Sequence, residues 1–175
     1  MKRIAFCTCL LFFAGVVPAQ DKAVSHAESL VERLRDFHAE MADPSAEVRK
    51  KALTGFLPSR KDMEILFPKD VGLFWKQLAA HNKRMTEHVD EIAREVTKEK
   101  WTEIEAIDVR ERDEAGTYKS VLSIIPKDIP VFRAIRRSEK RSSGSSSYLL
   151  IKGRWIHLQG LEKIPSIILY TKKGG

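Results

Sequence analysis

The chain has 175 residues, and 31 lysines and arginines against 24 aspartates and glutamates give it a formal net charge of +7. With 43% hydrophobic and 31% charged residues, it is too apolar for disorder throughout and too charged for an integral membrane protein. Seven prolines, nine glycines and no internal repeat exclude collagen-like, low-complexity and solenoid architectures, which leaves one modest soluble domain.

The first nineteen residues read as a secretory signal: basic Lys2 and Arg3, an apolar run from Ile4 to Val17, and small residues ending at Ala19. Cleavage near Ala19 is expected, with export to the periplasm or the extracellular space; an uncleaved N-terminal anchor is the alternative. Both cysteines, Cys7 and Cys9, fall in this segment, so a mature chain would carry no disulfide, zinc thiolate or thiol nucleophile. Phe6 stands where lipid attachment to Cys7 would want a small residue. The mature domain would keep 156 residues and a net charge of +5, with no later run able to span a membrane.

Ala27, Leu30, Val31, Leu34, Phe37 and Met41 recur at steps of three and four, which predicts an amphipathic helix over Ala23 to Met41. Asp43-Pro44 offers an N-cap and first-turn proline for a short helix through Val48, Ala52 and Leu53 that ends at Gly55. Ser59 and Asp62 form a capping-box pattern ahead of Met63, Leu66 and Phe67, which predicts a third helix. Val71, Trp75, Leu78, Asn82, Met85, Val89, Ile92 and Val96 then make a heptad seam, and one long helix over about 70–99 is expected. Asn82 is the polar member of that seam, where such a residue sets register. Packing against the Ala23 to Met41 helix of the same chain, and hence a monomer, is preferred to a helix-seam dimer.

After Lys100 the period falls to two. Trp101 to Arg112 reads as a strand with a bulge near Ala106, Asp113 to Gly116 as a turn, and Thr117 to Ile125 as a central strand apolar on both parities. Pro126 to Pro130 reverses the chain into a strand over Val131 to Arg137. Ser142 to Ser147 reads as a flexible loop, Tyr148 to Gln159 as a hairpin about Lys152-Gly153, and the tail after Leu161 as a last helical turn. The fold class is therefore α+β, with N-terminal helices packed on a four- or five-stranded antiparallel sheet over about 101–159, all in one domain. This element order resembles that of cystatin-like domains, and a helix-backed sheet is similar to nuclear-transport-factor-2-like domains. The likeness stops at element order, and no residue is carried over from either family.

The hairpin sorts its side chains. Leu149, Ile151, Ile156 and Leu158 share an aliphatic face, expected against the long helix, while Tyr148, Leu150, Trp155, His157 and Gln159 share an aromatic face with polar tips. That second face is either a small-molecule wall, with Tyr148, Trp155, His157 and Gln159 as its binding residues, or a further layer of core. Arg133, Arg136, Arg137, Lys140 and Arg141 fall within nine residues beside the Ser/Gly segment and suggest an anion-binding patch for envelope lipids or glycans; nucleic acid is not expected as a partner.

Five histidines show no metal-ligand spacing: His81 and His88 are two turns apart on one flank of a helix and read as the edge of a packing face. Nucleophile elbows, phosphate loops and metal motifs are missing, so no catalytic residue, metal or cofactor is assigned. The reading is an exported binding module for a small or anionic envelope ligand. The alternative is a small hydrolase or isomerase that pairs His157 with Glu103 or Glu105 on the neighbouring strand face.

Overall fold

Leu30, Leu34, Phe37 and Met41 lie on one stripe of α1, Ala19–Met41, and all four are buried. The chain is seen in a computed structural model that describes residues 19–98, 100–111, 118–139 and 142–164, and within them not the side chains of 19–25, Phe74, 142–145 and Glu162. Residues 1–18, read above as a signal segment, Asp113 to Gly116, read as a turn, and Lys140 and Arg141 lie outside the described residues.

Helix α2, Ala46–Phe56, starts two residues later than the Asp43-Pro44 pattern implies. Asp43 Oδ1 accepts from Ser45 N at 2.7 Å, which turns the chain so that Ser45 becomes the N-cap. Helix α3, Arg60–Leu66, has the expected capping box: Ser59 Oγ accepts from Asp62 N, and Asp62 Oδ2 accepts from Ser59 N at 2.7 Å.

The long helix is two helices, α4 (Val71–Glu87) and α5 (Val89–Thr97), divided at His88, whose φ of −105° and ψ of 28° leave the α region. Its heptad seam serves two cores. Val71, Trp75 and Leu78 pack with Met63, Leu66 and Phe67, whereas Met85, Val89, Ile92 and Val96 pack with the residues of α1 and α2. The seam passes from one core to the other between Leu78 and Met85 of α4, and the helix axis breaks at His88. Asn82 is tied not to α1 but to the α2–α3 link: its Nδ2 donates to Pro58 O at 2.8 Å.

The sheet has four antiparallel strands in the order β1-β2-β3-β4: β1 Trp101–Asp108, β2 Val131–Ser138, β3 Ser142–Ile151 and β4 Arg154–His157. The architecture is thus α+β, with N-terminal helices against a four-stranded antiparallel sheet. The hairpin register is the one the turn dictates, Tyr148 opposite His157, Leu149 opposite Ile156, Leu150 opposite Trp155 and Ile151 opposite Arg154. Lys152 and Gly153 both take positive φ, 50° and 76°, as a two-residue turn of this hand requires.

Three local readings are corrected. The segment read as a strand over Thr117 to Ile125 is no strand in its described part, from Tyr118 on: Lys119–Leu122 forms a short helix, α6, and Tyr118, Val121 and Ile125, spaced three and four apart, turn their side chains into one core. Ser142 to Ser147 is no loop but the start of β3, paired with β2 from Arg137 opposite Ser142 to Arg133 opposite Ser147. Its backbone needs are met by β2, and Ser147 Oγ meets the buried Tyr118 hydroxyl at 2.9 Å, so composition was overridden by pairing. Finally, the irregularity in β1 lies between Trp101 and Glu103, not at Ala106. Ile104 and Ala106 face one core while Ile107 and Val109 are buried on the other parity, because the sheet is covered on both sides there.

The two cores lie on opposite faces of the hairpin. Leu149, Ile151, Ile156 and Leu158 join α3, α6 and the first half of α4, and Leu161 from a closing 3-10 turn, Leu161–Lys163. Tyr148, Leu150 and Trp155 join α1, α2 and α5.

Candidate functional site

Trp155 is covered by Phe132, edge to face at 5.6 Å, and its indole Nε1 donates to Ser29 Oγ of α1 at 3.3 Å. Tyr148 meets Phe56 of α2 at 5.7 Å and is buried, which pushes its phenol above the ordinary range and keeps it neutral. The aromatic face is therefore a filled core layer over most of its length, and Tyr148 and Trp155 are held inside it. His157, two residues beyond Trp155, is where the filling stops. Its ring tilts against Tyr148 at 5.2 Å, and with Gln159 it opens on a cleft of about 240 Å³ between the end of β4, the α2–α3 link and α4.

The walls of that cleft follow from elements already described. Helix α4 presents Leu78, His81, Asn82 and Met85, steps of three, one and three that keep them on one flank. Leu57 and Pro58 form the rim, held from behind by Arg154 at the hairpin turn. Arg154 Nη1 donates to Gly55 O at 2.9 Å and Leu57 O at 3.2 Å, and Nη2 donates to Asp62 Oδ2, the carboxylate of the capping box. That carboxylate is nearly buried and closes a network of Ser59, Asp62 and Arg154 in which no charge is left without a counterpart.

Two features set the chemistry of the cleft. First, no described lining residue is Asp, Glu, Lys or Arg, in a chain of which 31% is charged. Second, Asn82 has spent its amide N–H₂ on Pro58 O, and its Oδ1 is buried with no hydrogen-bond partner among the described residues. His157 adds a neutral imidazole: burial first, then the positive charge of Arg136, then His81, lower its pKa to about 4. The sequence reading picked His157 and Gln159 but missed His81 and Asn82 as lining residues. The signal for Asn82 was its polarity at a seam position; it was read as register alone.

The basic cluster is not one patch in its described part. Arg136 and Arg137 are neighbours on β2 and project to opposite sides. Arg136 stacks over the Trp101 ring at 4.9 Å and donates to Ser146 Oγ at 2.9 Å. Arg137 bridges Glu103 at 2.8 Å and Glu105 at 3.1 Å, and Glu103, then Glu105, raise its pKa further. Arg133 is half-buried opposite Ile107 and Ser147. The same geometry separates His157 from the two glutamates. Strands β1 and β4 are the two edges of the sheet, three spacings of about 4.8 Å apart, and His157 stands level with Asp108 through Tyr148 and Phe132.

No family model, curated protein or solved structure matches the chain. Function is therefore argued from the cleft alone. Among the described residues no three His, Cys, Asp or Glu side chains gather as a metal group, and no helix is long and apolar enough to cross a membrane.

Proposed function

We propose that this chain is a binding module that holds a small molecule in the cleft between α4 and the end of β4. The observation that carries the reading is the Asn82 carbonyl oxygen, a buried acceptor without a partner among the described residues, in a residue that lines a cleft of apolar side chains with Gln77, His81, His157 and Gln159 as its other polar groups. An unmet polar atom of this kind is costly unless something fills the need. Apolar walls with a few fixed polar groups are the usual make-up of a small-ligand site. A hydrolase or isomerase that pairs His157 with Glu103 or Glu105 has no such support, since those acids sit on the far edge of the sheet and bridge Arg137. With the binding reading we keep the proposal that residues 1–19 direct export, so that the ligand is met outside the cytoplasm.

The test is ligand-observed NMR against a small-molecule library, followed by backbone amide shifts of the labelled protein. Hits should move the amides of Asn82, Leu158 and Gly160 and should weaken in His157→Ala. Hits that shift none of these amides, or bind His157→Ala as tightly as wild type, overturn the site.

A further inference from the structure

The make-up of the cleft also says what kind of molecule fits, an inference that rests on the binding reading above. We propose that the ligand is a neutral molecule with an apolar body and a hydrogen-bond donor, a hydroxyl or an amide N–H, which it gives to Asn82 Oδ1.

Charge is disfavoured on both counts. A carboxylate or ammonium group entering the cleft would leave its water and find no Asp, Glu, Lys or Arg among the described lining side chains. The nearby cation, Arg136, is occupied with Ser146 and the Trp101 face and does not line the cleft. The imidazole of His157 is neutral at ordinary pH and offers one donor and one acceptor, which suits a hydroxyl group and gives an anion no countercharge. Gln77, His81 and Gln159 add polar groups to the lining, but the buried acceptor without a partner among the described residues is on Asn82. Its donor side is committed to Pro58 O, while its Oδ1 is buried and has no partner among the described residues. An ether, ester or ketone has no hydrogen to give it; an alcohol or an amide does. The remaining walls, Leu57, Met63, Leu78, Met85 and Ile164, ask for hydrocarbon. The anionic ligand suggested by the arginine count would have to bind elsewhere.

A matched series separates the possibilities: 1-octanol, 1-methoxyoctane, octanoate and octylammonium share one apolar body and differ at the head. Titrated into the full chain at pH 7 and followed by the Leu158 and Gly160 amides, 1-octanol should bind about tenfold more tightly than the ether, the value of one well-placed buried hydrogen bond. Both ions should bind more weakly than 1-octanol. In Asn82→Leu the alcohol and the ether should become equal; should that variant not fold, the wild-type ratio of alcohol to ether decides by itself. Equal binding of alcohol and ether by wild type, or tightest binding by either ion, with shifts at the cleft, overturns the ligand class and leaves the binding site standing. No cleft shift with any of the four probes up to their solubility limits overturns both.

Discussion

Trp155 and His157 lie two residues apart on the same face of the same strand, yet one is sealed under α1 and the other opens on the cleft. Strand parity gave both the same direction. What covers each is decided by helices far earlier in the chain: α1 reaches Trp155 through Ser29, 126 residues before it, while α4, through Asn82, lines the same cleft as His157. A face is thus a local property and a site is not.

That contrast can be broken most directly at Trp155. Trp155→Ala should lower the unfolding free energy by about 3–5 kcal/mol, as truncation of a buried aromatic does, whereas His157→Ala at pH 7 should cost about 1 kcal/mol or less. Urea denaturation of the two variants measures the difference, and equal losses would mean that the cleft end of the face is as filled as the core end.

Next in size is the rim. Arg154→Ala removes bonds to Gly55, Leu57 and Asp62 together and should cost about 2–3 kcal/mol, reduced from a fully buried value because the guanidinium is partly exposed. Asp62→Ala should cost a similar amount, and the double variant little more than either single one, since they share one network. Additive losses in that cycle would show two independent contacts and no joint hold on the rim.

A smaller effect should appear with pH. Folded His157 takes up its proton near pH 4, an unfolded one near 6.5. Between those values the unfolded chain holds more protons, so the contribution of His157 is complete above about pH 6.5 and is lost as the pH falls towards 4. The loss should reach about 2 kcal/mol for a half-buried ring, and His157→Gln should flatten that part of the profile. An unchanged slope between pH 6.5 and 4 in His157→Gln would assign the acid sensitivity to other groups.

The same distinction between direction and cover explains what could be read in advance. The hairpin was legible residue by residue because Lys152-Gly153 leaves one register open, and Ser59 with Asp62 announced α3 because a capping box is local chemistry. Ser142 to Ser147 was misread because serine-rich composition describes an isolated segment, while its pairing with β2 is supplied from elsewhere. Thr117 to Ile125 was misread because Leu122 and Ile124 blur the helical spacing of Tyr118, Val121 and Ile125. The seam of α4 and α5 was correct in period and right in partner for its second half alone: period reports which residues are apolar, and two cores took a half each. Of the candidate site, His157 and Gln159 followed from parity. The closing of Tyr148 and Trp155 by α1 and α2, and the meeting of Asn82 with Pro58, are relations between distant segments that no local pattern contains.

The rim arginine has a consequence for when the cleft comes into being. Arg154 is 92 residues from Asp62 and 99 from Gly55 along the chain, so the bonds that fix Leu57 and Pro58 close only after the C-terminal hairpin has docked on helices made much earlier in synthesis. Contacts of such long sequence separation form late in folding, because chain closure must precede any gain from them. The cleft is therefore expected to take shape late, and a nascent chain that has not yet reached Arg154 lacks the bonds that hold its rim. Whatever the cleft holds then draws on the fully assembled state, and its concentration around the protein adds directly to the free energy that keeps the hairpin closed on the helices.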